Sequence, residues 1–252
     1  MTLSEQLEEL RVNILRDRSD IISGDADSLW TDDTLIGYIK DAERRFARQT
    51  LIIRDSTTPE VTRITLKAGV PTYATHASVL SVISARYDTD SFDLQRSGHG
   101  LILQFTPPEF LTYDPNAAYT IPPGRPIAYM TDETLVFARQ QKVTVTVYPT
   151  PGADENNKVL SMRVVRLPMT EYSSSGLENE SELPEDYQLD ALEWAAYRAQ
   201  RGFDADAGAS TQADKHKEAF DEAVLKAQKE AKRKMFANIT VRYGMNGFAW
   251  TR

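Results

Sequence analysis

The sequence predicts an α+β protein: an α-helical bundle built from the N- and C-terminal segments, an inserted antiparallel β-domain, and an extended C-terminal tail. Three observations carry this prediction. Apolar residues recur at three- and four-residue steps near both ends, at two-residue steps between about Val61 and Leu167, and with no helical period after Ala237. No long helix interrupts the two-residue pattern, so a doubly wound parallel sheet is not expected.

The first helix is expected over residues 3–16, where Leu3, Leu7, Leu10 and Ile14 form one stripe and Thr2 with Glu5 has capping-box spacing. A second begins at Thr31, an N-cap residue followed by Asp32 and Asp33. Its core face is Leu35, Ile39, Ala42 and Phe46, with Arg44, Arg45 and Arg48 toward the end where the helix dipole favours cations. These segments form a first unit, residues 1–55.

Residues 56–170 read as the β-domain. Its strands are expected at Val61 to Lys67, Val79 to Tyr87, Leu101 to Phe105, Thr134 to Ala138, Lys142 to Tyr148 and Val159 to Leu167. Turns such as Pro122-Pro123-Gly124 and Pro149 to Gly152 stop pairing and reverse the chain.

Residues 171–237 read as an acidic linker and a helical hairpin. Between residues 168 and 193 stand eight acids and no Lys or Arg, so the first part of this stretch reads as a solvated linker. A helix follows Pro184, with Leu189, Leu192, Ala196 and Ala199 on one face and Tyr187, Ala191 and Trp194 on another; a helix apolar on two faces should lie centrally. The last helix is expected from near Ser210 or Thr211, with Ala213, Phe220, Val224 and Ala227 inward and a basic cluster, Lys226 to Lys234, near its end. The expected bundle core is thus Leu7, Leu10, Ile14, Leu35, Ile39, Phe46, Leu189, Leu192, Trp194, Phe220 and Val224.

The composition excludes whole classes of chemistry. There is no cysteine, so disulfides, thiolate metal sites and cysteine nucleophiles are ruled out. No stretch approaches the roughly 20 apolar residues that cross a bilayer, and no basic-then-apolar leader opens the chain, so a soluble protein without membrane partners is expected. A net charge of −8 disfavours tight capture of duplex DNA, which needs many Lys and Arg contacts to phosphates.

Phosphate loops, dinucleotide fingerprints, zinc-protease helices and nucleophile elbows are all missing. The histidines, His76, His99 and His216, lie far apart, and the Glu178, Glu180 and Glu182 carboxylates are read as linker acids without a fixed spacing. His216, among lysines, is expected to be solvated. No catalytic residue, cofactor or metal site is predicted.

Residues 238–252 depart from the polar character usual for a terminus, since they carry Arg242, Tyr243, Phe248, Trp250 and Arg252. Such residues either fold back over their own core as hydrophobic payload or dock on a partner, where aromatics and Arg are enriched at hot spots. Fully extended, the tail reaches roughly 50 Å.

Two stretches resemble phage head-to-tail adaptor proteins. From Leu29 to Thr50, Trp30, the acidic cap and an Ile-x-x-Ala-x-x-x-Phe face look like the second helix of that group. From Leu183 to Arg201, followed by Asp204, Asp206 and His216-x-x-x-Phe220, the sequence is similar to its C-terminal helical hairpin. The resemblance implies a structural virion protein at the neck, between capsid and tail, made in the host cytoplasm. It implies a ring, usually of twelve copies, with the C-terminal tail docked on the portal protein through Arg242, Tyr243, Phe248, Trp250 and Arg252. A downstream tail or nozzle protein would bind below, and viral DNA would pass through without specific binding during genome ejection. Two other readings stay open: a tail-completion or receptor- or glycan-binding β-module, and an enzyme without a known motif.

Overall fold

A computed structural model describes residues 1–16, 29–87, 94–96, 122–135, 141–202 and 207–237. It holds helices and two sheets in an α+β arrangement. Helix α1 spans Leu3–Glu9 and runs on into a π-helical turn, Leu10–Leu15. Thr2 and Glu5 close the capping box: the Glu5 amide donates to Thr2 Oγ1 at 3.3 Å and the Thr2 amide to Glu5 Oε2 at 2.9 Å. Helix α2, Asp32–Thr50, starts on the Thr31 cap as its sequence requires. Helices α4 (Glu185–Gly202) and α5 (Ala207–Ala237) form an antiparallel pair that packs on α2. Helix α5 starts a few residues earlier than Ser210; Ala207 and Ala209 are strong helix formers and extend it.

One hydrophobic cluster unites these helices. Leu10, Leu35, Ile39, Phe46, Leu192, Trp194, Phe220 and Val224 are buried in it, and Leu7 and Ile14 pack half-buried against it. The Phe46 ring lies 5.6 Å from Tyr187 and 5.9 Å from Phe220, within the range where aromatic pairs add to area burial. Leu189 does not belong to this core, because its side chain is 52% exposed. The neighbouring helices cover most of α4's circumference. Leu189 lies in the sector they leave open, beside half-buried Asp190 and Glu193.

The middle of the chain forms two sheets. In the first, the central strand β8 (Val159–Arg166) pairs antiparallel with β1 (Arg54–Asp55) and β2 (Arg63–Thr65) along one edge and with β4 (Val79–Tyr87) along the other. In the second the order is β3 (Thr72–Ala74), β7 (Gln141–Tyr148), β6 (Ala128–Leu135) and β5 (Gln95–Arg96). The short β5–β6 pair is parallel, an exception to the expected antiparallel pattern. A second cluster takes side chains from both sheets, among them Val82, Tyr87, Tyr129, Val145, Val147, Leu160 and Val164.

Two expectations need correction here. Val61 to Lys67 is not one strand: Pro59 opens a short helix α3, Pro59–Thr62, and only Arg63–Thr65 pairs. Proline sets a helical φ at a first turn and takes nothing from the helical ladder there, so the strand begins late. Of the strand expected at Thr134 to Ala138, Thr134 and Leu135 belong to β6, which begins at Ala128, and residues 136–138 lie outside the described residues. The strand expected at Leu101 to Phe105 lies outside the described residues, as do residues 238–252.

Candidate functional site

The distinctive chemistry of this chain lies where the helical unit meets the sheets. Strand β8 carries Leu160, Met162 and Val164 into the sheet core, and the next residues turn to the helices, where Leu167 joins the helical cluster. At that turn Arg166 is held from two sides. Its Nε donates to Asp55 Oδ2 at 2.7 Å, its Nη1 donates to Glu182, and the same Nη1 also reaches the Leu167 carbonyl at 3.2 Å. Glu182 in turn accepts the Met169 and Thr170 amides, each at 2.7 Å, and the Thr170 hydroxyl at 2.9 Å.

Burial alone would raise both carboxyls. Hydrogen bonds from Thr57, Thr58 and Arg166 hold Asp55 well below the usual carboxylate range, and Arg166 with the Met169 and Thr170 groups lowers Glu182. The segment after β8 is therefore no solvated linker at this point. Glu182 is one of its eight acids, but it faces an arginine and two amides that sequence spacing does not place beside it.

A second knot sits one layer deeper. Glu43 on α2 is 2% exposed. It accepts from Gln6 Nε2 at 2.9 Å, from the Tyr172 hydroxyl at 2.8 Å and from Ser181 Oγ at 2.5 Å. Burial and the facing Glu43 carboxylate push the Tyr172 phenol far up, so it stays a donor at any working pH. Three distant stretches, α1, α2 and the acidic segment, are thus fixed through one carboxylate.

The α4–α5 hairpin is held to α2 by polar bonds at its rim. Trp194 Nε1 donates to Asp41 Oδ2 at 2.9 Å and Arg198 Nη1 to the same oxygen at 2.8 Å, while the Arg45 guanidinium stacks 3.8 Å above the Trp194 ring. Desolvation opposes ionisation of Asp41, but the bonds from Trp194 and Arg198 leave its pKa lowered. Tyr187 donates to Glu230 at 2.5 Å, and burial together with that carboxylate pushes its phenol up to about 12. His216 is not solvated, contrary to expectation. Its Nδ1 lies 2.6 Å from Glu193 Oε2, across the hairpin, and its Nε2 lies 3.4 Å from Gln200 Nε2.

Beside these knots a cleft of about 860 Å³ opens between α2 and the sheets. Lys40, Arg44 and Arg48, one turn apart on α2, line it together with Glu43, and Glu171 and Tyr172 line it from the segment after β8. Its apolar lining is Val79, Leu80, Val143, Leu167 and Met169. His76 also lines it and bonds Ser78 Oγ at 2.8 Å.

Among the described residues, no group of three or more His, Asp or Glu is placed to hold a metal ion. No helix there is long and apolar enough to cross a membrane. His99 and the expected docking residues Arg242, Tyr243, Phe248, Trp250 and Arg252 lie outside the described residues. The cleft escaped the sequence reading because its walls come from segments more than a hundred residues apart, and because the α2 arginines already had an explanation in the helix dipole.

A search of curated proteins finds no match to the chain. The family model described as SU10 adaptor protein matches residues 1–242, which takes in both helical stretches and the whole β-region between them. The resemblance carried by Trp30 to Phe46 and by Leu183 to Phe220 is therefore one of the whole chain, and the protein belongs to the SU10 adaptor family of phage head-to-tail adaptors.

Proposed function

We propose that the protein is a structural subunit of the phage neck, one of a ring of copies, twelve by the habit of such adaptors, that joins the portal protein to the tail and continues the DNA channel. The observation that carries this reading is the family match over residues 1–242. The cross-braced body gives it mechanical sense. Glu43 and Arg166 lock the helical unit, the acidic segment and the sheets into one piece, as a part that transmits force between two rings requires.

In this reading residues 1–55 and 171–237 form the ring-building helical body. Residues 56–170 form a β-domain toward the periphery or the next ring. Residues 238–252 are the portal anchor, with Arg242, Tyr243, Phe248, Trp250 and Arg252 as the docking side chains. A downstream tail or nozzle protein takes the lower face. DNA slides past an acidic wall that offers few phosphate contacts, in keeping with the net charge of −8. The work done is assembly rather than catalysis.

Ring closure makes each subunit contact heterologous, so two different patches of one chain must match. The test is native mass spectrometry of the chain mixed with the portal of the same phage. A complex with one copy per portal subunit is expected for the full chain, and none for a chain ending at Ala237. A full chain that never joins the portal would contradict the reading.

A further inference from the structure

We propose that the cleft between α2 and the sheets is a subunit contact, and that its occupant is the loop of residues 173–180 of a second copy of this chain. The inference rests on the ring reading above and names the two patches that meet.

Three cations line the cleft against two carboxylates, exposed Glu171 and buried Glu43, the latter already bonded to Gln6, Tyr172 and Ser181. Arg44 and Arg48 are exposed and Lys40 is half-buried, and none of the three has a hydrogen bond or ion pair among the described residues. Like charges one helical turn apart weaken a helix by a few tenths of a kcal/mol per pair, so such a row is a small standing cost to the free subunit. The helix dipole favours Arg48 in the last turn, but not Lys40, which lies mid-helix. The same cleft has an apolar lining, in which Leu80 and Met169 are half-buried.

The loop has the opposite charge, two carboxylates next to one apolar side chain. Leu177 is 37% exposed, and Glu178 and Glu180 follow it, exposed and without a cation partner among the described residues. Here the Leu3 amide donates to the Asn179 carbonyl at 2.9 Å, the Ser4 amide donates to the Leu177 carbonyl at 3.0 Å, and Asn179 Nδ2 closes the turn on the Glu171 carbonyl at 2.9 Å. These bonds fix the loop against α1, and residues 173–180 take no part in lining the cleft of their own subunit. An apolar side chain followed by two carboxylates, already ordered, matches an apolar lining beside a row of cations.

Charge also explains why such a contact is needed. Each copy carries −8, so copies repel unless local complementarity offsets the net charge.

The test is a charge swap in the full chain, with assembly on the portal read by native mass spectrometry and folding checked by circular dichroism. Arg44→Glu with Arg48→Glu, and separately Glu178→Lys with Glu180→Lys, are each expected to lower the assembled fraction at least tenfold. All sites are exposed, so both variants should keep the fold; the neutral pair Arg44→Gln with Arg48→Gln gives a milder loss should the reversal unfold the chain. Mixing the two charge-reversed proteins should restore assembly, in alternating copies. Wild-type assembly with unchanged assembly of every variant overturns the cleft assignment and leaves the ring reading standing. Loss without rescue on mixing gives the cleft to the portal or another partner and overturns the second-copy occupant. Absence of any wild-type ring removes the ring reading and this inference together.

Discussion

Arg166 Nε donates to Asp55 Oδ2 at 2.7 Å, a bond that ties the central strand of the first sheet to the strand leaving α2 at the seam between the protein's two cores. The same guanidinium binds Glu182, so one side chain secures β1, β8 and the acidic segment. Replacing it with Met leaves two largely buried carboxylates without their cation. A loss of about 3 kcal/mol is expected at pH 7, read as a lower urea midpoint at unchanged slope.

The pH dependence of that loss has a definite sign. Asp55 and Glu182 have folded-state pKa values below their unfolded ones, so their contribution is fully present above the unfolded carboxylate range, about pH 4 to 4.5. It fades as the pH falls toward the folded values. Wild-type stability should therefore drop steeply below about pH 4.5, and the Arg166→Met protein should drop less. Parallel curves from pH 7 to pH 3 would show that Arg166 does not set these two carboxyls.

Glu43 offers a second check on the cross-bracing. In Glu43→Ala, Gln6, Tyr172 and Ser181 lose a shared acceptor in a site that is 2% exposed. Leaving buried donors unpaired costs about 1 to 3 kcal/mol each at the upper end, and a cavity adds to it, so a total near 4 kcal/mol is expected in chemical unfolding. Hydrogen exchange should rise first in α1 and around Ser181.

Leu189 and Leu192 lie one turn apart on α4 and should behave oppositely. Leu192→Ala removes a side chain that is 1% exposed and should cost about 2 to 5 kcal/mol, while Leu189→Ser, at 52% exposure, should stay within about 0.5 kcal/mol of wild type. Thermal melts of the two proteins distinguish them directly.

Salt separates the proposed intersubunit contact from the intramolecular one. Pairs between Arg44 or Arg48 and the loop carboxylates of a neighbour form at the rim, where ions screen them. Assembly should thus weaken as salt rises from about 0.05 M to about 0.5 M. The Arg166 cluster is buried and should respond far less over that range. Assembly that is indifferent to salt would contradict a charge-based contact.

These residues also show what a sequence can and cannot yield here. The Thr2–Glu5 box, the Thr31 cap and the Phe46 face are local, because caps and helical periodicity are written within a few neighbours. The runs at Val79 and Val159 are equally local. The acidic segment reads as solvated because the partners of Glu182 are Arg166, on β8, and the Met169 and Thr170 amides a dozen residues back along the chain, and composition alone cannot supply a partner. His216 was read as solvated for the same reason, since Glu193 lies across the α4–α5 hairpin. Leu189 marks a different limit: two apolar stripes on α4 identify a central helix, yet not the sector its neighbours leave bare. The cleft needed all three dimensions, since α2, β4, β7 and the segment after β8 meet there.

Electron microscopy of the portal, alone and with the full-length protein, tests the central claim most directly. The adaptor reading predicts an added ring beneath the portal, coaxial with its channel and with the portal's own symmetry. A portal that stays bare at saturating protein would contradict it.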